Sequence, residues 1–347
     1  MQKINTALCA FGMSGQIFHA PFIEAHQKFN LYGVLERTKS LANEKYPNVK
    51  AFRSLDELLN DKAIELVVLN TPNFTHFEYA KKIIASKKHL IVEKPFTATV
   101  MEAQELLELA KQHEVQLSVF QNRRWDSDFK TVQKIINQGF LGDLVEAEIH
   151  FDRFEPNLNC KSYKEIPNDT AGSLYDLGPH IIDQALVLFG MPKAVYAHLD
   201  SFRKDGKVTD YFDLKFYYEA QIVTLKSSCF VCEQLPAYVF HGTNGSFIKS
   251  KSYIQEIDLH KGMLPNDPCF GIEPDSEHGI LHFKEGDYFV KKNVTSEKGN
   301  YLEFYDLMFE AIRNHKKLPV SNEEALNVIK IMEIALKSNE EKRRVFV

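Results

Sequence analysis

The chain has 347 residues, 44% of them hydrophobic, enough to bury the cores of two domains. A formal net charge of −5 with no long basic block argues against a nucleic-acid partner. No apolar stretch approaches the roughly 20 residues of a membrane-spanning helix, and Met1-Gln2-Lys3 leads straight into a strand-like run with no secretory leader, which predicts a cytoplasmic protein without membrane contact.

Residues 4–10 form that first run, followed by Ala10-Phe11-Gly12-Met13-Ser14-Gly15 and a helical pattern over 16–23. Strand, glycine turn and helix in this order match a dinucleotide-binding unit, with alanine at the first of the three glycine positions. Gly12 would let the backbone approach a pyrophosphate, Gly15 would let helix and strand pack closely, and the N–H groups of Met13, Ser14 and the helix start would face the anion. Alanine at position 10 is still small but does not reach positive φ freely.

The second run, 31–35, ends in Glu36-Arg37-Thr38. A carboxylate there accepts from the ribose 2′-hydroxyl of NAD, whereas an arginine suits the 2′-phosphate of NADP; both are present, so the residues leave the cofactor open. A third run, 64–69, leads through Asn70-Thr71-Pro72-Asn73 into a helix predicted from about residue 74. That places Thr71, Asn73 and His76 at the cofactor edge, although Thr71 and Asn73 also suit turn and N-cap positions.

The run 89–92 ends in Glu93-Lys94-Pro95. Pro95 lacks an N–H and stops the strand ladder, so Lys94 stands at the carboxyl end of a buried strand, the edge where open α/β sheets hold ligands. A lysine there can polarise a substrate oxygen, or simply lie at the surface. With 117–120 as a sixth strand, the alternation predicts a doubly wound parallel sheet of the Rossmann kind over residues 1–122.

Beyond residue 123 the rhythm changes. After a helix over 129–137, the segments 143–155, 194–203, 210–219, 221–231 and 236–249 read as long alternating strands of a mostly antiparallel sheet. Helices are predicted over 179–189 and from about 301 and 322, with 261–277 a long loop. The five cysteines, Cys9, Cys160, Cys229, Cys232 and Cys269, are odd in number and scattered, unlike a secreted disulfide framework. Cys229-x-x-Cys232 lies in a strand-like stretch without a second pair, and is read as two buried structural thiols.

The chemistry of this half gathers at Ala171-Gly172-Ser173-Leu174-Tyr175-Asp176-Leu177-Gly178-Pro179-His180. Pro179 suits the first turn of a helix, so Asp176 and His180 flank its start, four residues apart. A histidine there, with an ordinary pKa of about 6.5, favours the neutral base form. The alternative makes Asp176 a cap and His180 a core residue. A metal site would need a third ligand, and a neighbouring lysine would repel the ion, so no metal is expected.

Taken in order, the turn 10–15, Glu93-Lys94-Pro95 and the 172–180 stretch resemble the Gfo/Idh/MocA oxidoreductases over nearly the whole chain. Phe18-His19-Ala20-Pro21-Phe22, Asn122-Arg123-Arg124-Trp125-Asp126, Ser173-Leu174-Tyr175-Asp176-Leu177-Gly178 with His180-Ile181-Ile182-Asp183, and Phe189-Gly190-Met191-Pro192-Lys193-Ala194 make the NADP-dependent scyllo-inositol dehydrogenase branch the most similar. The resemblance implies α/β plus α+β architecture: the Rossmann domain, then a C-terminal open-faced, mostly antiparallel sheet over 123–347 that binds substrate and joins copies into a homodimer or homotetramer.

It also implies Lys94, Asp176 and His180 as the catalytic group, Glu93 and Lys94 beside the cofactor, and hydride transfer between NAD(P) and a secondary hydroxyl or ketone of a cyclitol or sugar-like polyol. It favours NADP, although Glu36 departs from the small polar residue expected for that cofactor. Arg124, Trp125 and Tyr163 are candidate substrate contacts, with packing as the alternative for Trp125. Two other functions known among relatives are a glycoside hydrolase that uses the nicotinamide transiently and a nucleotide-sensing regulator; a sensor has no need of Lys94, Asp176 and His180 together.

Overall fold

Six short strands rich in β-branched and aliphatic residues build the first sheet: Ile4–Leu8 (β1), Phe29–Leu35 (β2), Lys50–Phe52 (β3), Leu66–Leu69 (β4), His89–Val92 (β5) and Leu117–Val119 (β6). In this computed structural model, which describes residues 2–159 and 161–347 and only the backbone of Ser162 and Tyr163, they pair in parallel in the order β3-β2-β1-β4-β5-β6. Every residue of β4 and β6 is buried, as parallel sheets covered on both faces require. Strand order reverses between β1 and β4, the switch point at which such sheets bind ligands.

The surrounding helices start at caps written in the sequence. The Ser54 and Thr99 side chains accept the N–H of Glu57 and Glu102, three residues on. Helix Val100–Gln112 then buries Ala103, Leu106 and Ala110, a single stripe at helical spacing. The unit comprises Met1–Asn122, Gln255–Phe270 and Asn300–Leu326. Its late helix Leu302–Asn314 brings Tyr305 and Phe309 edge-on to Phe29, at 5.6 and 6.1 Å between ring centroids.

The other unit, Arg123–Ile254, Gly271–Gly299 and Asn327–Val347, is built on a nine-stranded sheet. Its strands are Leu144–His150 (β7), Ala194–Asp200 (β8), Tyr211–Tyr217 (β9), Ile222–Ser228 (β10), Tyr238–Gly242 (β11), Gly245–Lys249 (β12), Gly279–Glu285 (β13), Tyr288–Val294 (β14) and Val345–Phe346 (β15). The order is β14-β13-β12-β11-β7-β10-β9-β8-β15, antiparallel except for β7 with β10. Alternation is clean: Val195, Ala197, Leu199, Phe212, Leu214, Phe216, Val223 and Leu225 are buried, while His198, Lys215 and Ile222 on the opposite face are exposed. Helices Ser127–Asn137 and Gly178–Phe189 lie on this sheet.

Several expected elements differ. The stretch 236–249 is a hairpin, with Phe240 opposite Phe247 across a turn at Thr243-Asn244. β13 and β14 form a further hairpin through Gly286, whose φ of 62° suits glycine; β14 was unforeseen because its lysines and exposed aromatics break the alternation, as edge strands do. β7 and β10 stop at His150 and Ser228, short of 155 and 231, so Cys229 lies past the strand end, buried, while Cys232 is exposed. Cys160 lies outside the described residues.

Candidate active site

Asn70, just past β4, holds the dinucleotide turn from both sides: its Oδ1 accepts Ala10 N–H at 2.9 Å and its Nδ2 donates to Ala10 O at 2.8 Å. This reciprocal clamp fixes the residue at which the fingerprint has alanine. A Cβ on Gly15 would lie 2.5 Å from Ala10 O and 2.9 Å from Asn70 Nδ2, so only glycine fits there. A Cβ on Gly12 would meet nothing within 4 Å, so the turn fronts open space. The helix does not begin as a regular one. Ala20 N–H bonds Gly15 O five residues back, a wide turn over Gly15–His19 that leads into Ala20–Ala25 and accommodates Pro21.

Glu36 is not aimed outward. It is buried, and its two carboxylate oxygens accept the N–H groups of Leu41 at 3.1 Å and Ala42 at 3.0 Å, capping the short helix Leu41–Lys45. Ser40, the residue at the usual cap position, makes no cap bond; its hydroxyl instead accepts from Arg53. Arg37, Thr38 and Lys39 are exposed in the loop. The β2 end therefore presents cations, with its carboxylate turned into a helix.

Thr71 and Asn73 are half-buried, with Thr71 Oγ1 2.6 Å from Thr75 Oγ1, and a tight turn Asn73–Thr75 precedes the helix His76–Ala85. His76 is fully buried, with Nδ1 2.8 Å from Pro95 O and Nε2 3.1 Å from Thr71 O. Burial lowers its pKa, and the ring braces the loop after β4 against the loop after β5. In this arrangement His76 is spent on backbone carbonyls rather than offered to a cofactor.

Glu93 and Lys94 stand at the end of β5, both partly buried, and the Lys94–Pro95 peptide is cis. Ser14 Oγ donates to Glu93 Oε1 at 2.6 Å, tying the dinucleotide turn to this strand end. At the end of β6, the buried Gln121 carries an Oε1 atom with no hydrogen-bond partner among the described residues. Such an orphaned acceptor suits an amide donor on a ligand. The open front of Gly12, the exposed Arg37 and this acceptor fit a nicotinamide dinucleotide spread across the carboxyl edge of the sheet.

In the other unit, Gly172 takes φ 89°, and a short helix Ser173–Asp176 breaks at Leu177 before Gly178–Phe189, with Pro179 in its first turn. His180 is buried in that first turn, its ring 5.8 Å from Phe151. Asp176 is more open and lies 3.3 Å from Lys164 Nζ. Arg124 grips Asp183 with two bonds, Nε to Oδ2 at 2.8 Å and Nη2 to Oδ1 at 2.6 Å, and so fastens the 122–125 turn to the His180 helix. Trp125 is buried, which fits the packing alternative. The Tyr163 side chain lies outside the described residues.

Around Phe151 the structure gathers residues to which the sequence assigns no role. Arg123, Arg153 and Lys251 lie over its ring at 5.8, 5.5 and 5.5 Å, and Arg123 and Lys251 also approach Tyr253. Lys251 Nζ lies 3.0 Å from both Asp126 and Asp128. Burial works against its charge, but the two carboxylates prevail and push its pKa up. Partners more than a hundred residues apart leave no local pattern to read.

Residues 4–121 match the oxidoreductase family NAD-binding Rossmann fold, and 133–347 its C-terminal alpha/beta domain, both of the Gfo/Idh/MocA group. An uncharacterized oxidoreductase of Schizosaccharomyces pombe is 42% identical over 98% of both chains. The scyllo-inositol 2-dehydrogenase (NADP(+)) IolW of Bacillus subtilis is 36% identical over 100% of this chain and 97% of that one. The solved Bacillus subtilis yvaA structure superposes with a TM-score of 0.95 at 35% identity, covering 100% and 99% of the two chains. Two family domains in order and full-length relatives at this identity place the chain in the Gfo/Idh/MocA family, as an NAD(P)-dependent dehydrogenase.

Proposed function

We propose that this dehydrogenase interconverts a secondary hydroxyl and a ketone on a ring carbon of a cyclitol or sugar-like polyol, with NADP as the preferred cofactor. The observation that carries the reading is the full-length similarity to a protein named as an NADP(+)-dependent scyllo-inositol dehydrogenase, together with a lysine at the end of β5 and a histidine in the first turn of Gly178–Phe189. The nicotinamide, when bound, supplies the hydride acceptor or donor. In the oxidative direction His180 takes the hydroxyl proton, and Lys94 donates to the same oxygen as negative charge develops on it. Asp176 orients His180 or binds a neighbouring hydroxyl.

Arg37 and its exposed neighbours support NADP, since the carboxylate that would repel a 2′-phosphate is engaged by Leu41 and Ala42. The open face of the nine-stranded sheet, with Ile222 exposed among charged residues, is the surface through which copies would join as a dimer or tetramer. A cytoplasmic setting accords with use of the cellular nicotinamide pool. The decisive experiment is a panel of inositols and aldoses with each cofactor, followed by absorbance of the reduced nicotinamide. Turnover of cyclitols or sugars with NADP is expected; turnover confined to acyclic alcohols or 2-hydroxy acids would overturn the substrate class.

A further inference from the structure

A hydrogen-bonded chain runs through Glu93, and the reaction chemistry proposed above does not use it. His19 is fully buried, with Nε2 2.9 Å from Glu93 Oε1 and Nδ1 2.8 Å from the hydroxyl of Tyr305, itself fully buried on Leu302–Asn314. The same Glu93 oxygen accepts from Ser14 Oγ, while Oε2 accepts the Lys94 N–H at 3.3 Å. The Phe120 ring lies 4.4 Å from the His19 ring, and Tyr305 packs on Phe22, Phe29 and Phe304, so neither ring has room to turn away. One carboxylate thus joins the dinucleotide turn, the peptide of the lysine and, through His19, the helix Leu302–Asn314.

We propose that His19 and Tyr305 are positioning residues that clamp the Glu93 carboxylate, and through it hold Ser14 of the dinucleotide turn and the backbone of Lys94 in one geometry. This rests on the reading of Lys94 as the donor to the substrate oxygen. The clamp is tight because both ring nitrogens of His19 are engaged, so the imidazole is fixed in orientation as well as place. A carboxylate in this apolar setting would otherwise take up a proton and lose its hold on two donors. Burial favours the neutral acid, but the hydrogen bond and charge of His19, followed by Ser14 and Lys94, pull the carboxyl down to about 2. The titratable groups facing it are His19, Lys94, Tyr305 and, through the Pro95 loop, His76.

The test compares Tyr305→Phe, His19→Gln and His19→Leu with the parent enzyme, in the direction of ketone reduction. There His180 must be protonated, so its own titration lowers the rate only as pH rises. Tyr305→Phe keeps the ring packing and loses one hydrogen bond, and kcat should fall about threefold to tenfold with the substrate KM unchanged within about twofold. His19→Leu should lower kcat by about tenfold to a hundredfold and weaken reduced-cofactor binding severalfold. It should also add a fall in rate on the acid side that the parent lacks, because the unsupported Glu93 takes up a proton at a higher pH. His19→Gln, which can still donate to Glu93, should recover most of kcat. If His19→Leu does not fold, Tyr305→Phe and His19→Gln still decide.

Folded variants with the parent's kcat, cofactor affinity and pH profile would overturn the proposal. So would a loss of thermal stability with no change in the kcat-to-KM pattern and no acid limb, since a purely structural contact predicts that. Failure of the underlying reading looks different: the parent enzyme itself would show no cofactor-linked turnover, or Lys94→Met would leave kcat unchanged.

Discussion

The cofactor pocket makes a two-sided prediction, because Glu36 and Arg37 are neighbours with opposite charges and different surroundings. Arg37 is exposed, so its hydrogen bond to a 2′-phosphate is partly screened, and the loss on Arg37→Ala belongs at the low end of a charge-assisted bond, about 1.5–2 kcal/mol. That is roughly a 10- to 30-fold weaker Kd for NADPH, with NADH changed by less than about twofold. Glu36→Gln separates the two readings of the acid. If its oxygens are held by Leu41 and Ala42, the substitution costs about 0.5–2 kcal/mol of stability through the weakened helix start and leaves NADPH affinity within about twofold. Titration of reduced-cofactor fluorescence and thermal denaturation measure both quantities. Tenfold tighter NADPH binding in Glu36→Gln, or equal losses for both cofactors in Arg37→Ala, would refute the reasoning.

The fold was legible where one residue type has few uses. A proline directly after a lysine at the end of an apolar run marks a strand end, and Gly15 sits where only a hydrogen atom fits beneath Ala10 O. Glu36 was legible as a residue but not as an orientation. Helix Leu41–Lys45 has only five residues and a Ser40 that does not cap it, so the start of this helix recruits the carboxylate at the strand end. His76 could not be placed either, because its ring lies between the carbonyls of Thr71 and Pro95, and a backbone carbonyl carries no sequence signal. The hairpin at 238–249 did have marks, Asn244 and Gly245 between the two apolar runs, and a buried face that passes from even positions, Tyr238 and Phe240, to odd ones, Phe247 and Lys249. Arg124 is a candidate substrate contact from its place in the chain alone; its bidentate partner Asp183 lies 59 residues away, a separation that leaves no local pattern to read.

Lys94→Met should lower kcat by about 10²–10³ while cofactor affinity stays nearly intact, the size of one lost oxyanion-type donor; near-normal turnover would remove Lys94 from the mechanism. In the oxidative direction the rate should rise with pH through an inflection within about one or two units of 6.5, and His180→Asn should abolish that limb, whereas an unchanged profile would assign the proton to another group. Gln121→Met keeps the volume and removes the buried acceptor, so NADPH should bind about threefold to tenfold more weakly while 2′,5′-ADP, which has no nicotinamide, binds as before; equal losses for both would place Gln121 elsewhere. The last prediction concerns stability. His150 is buried between Asp152 and Glu148, at 3.1 and 3.0 Å. Burial lowers its pKa, but the two carboxylates outweigh that and raise it above the ordinary value. A raised folded-state pKa means that the pairing stabilises fully below the unfolded value of about 6.5 and is lost as pH climbs through the folded one. With Glu148 partly exposed to solvent, the contribution is on the order of 1 kcal/mol. The stability gap between the parent and His150→Gln should therefore be widest near pH 6 and narrow towards about pH 9, and a gap that stays constant across that range would show that His150 is not charged in the folded protein.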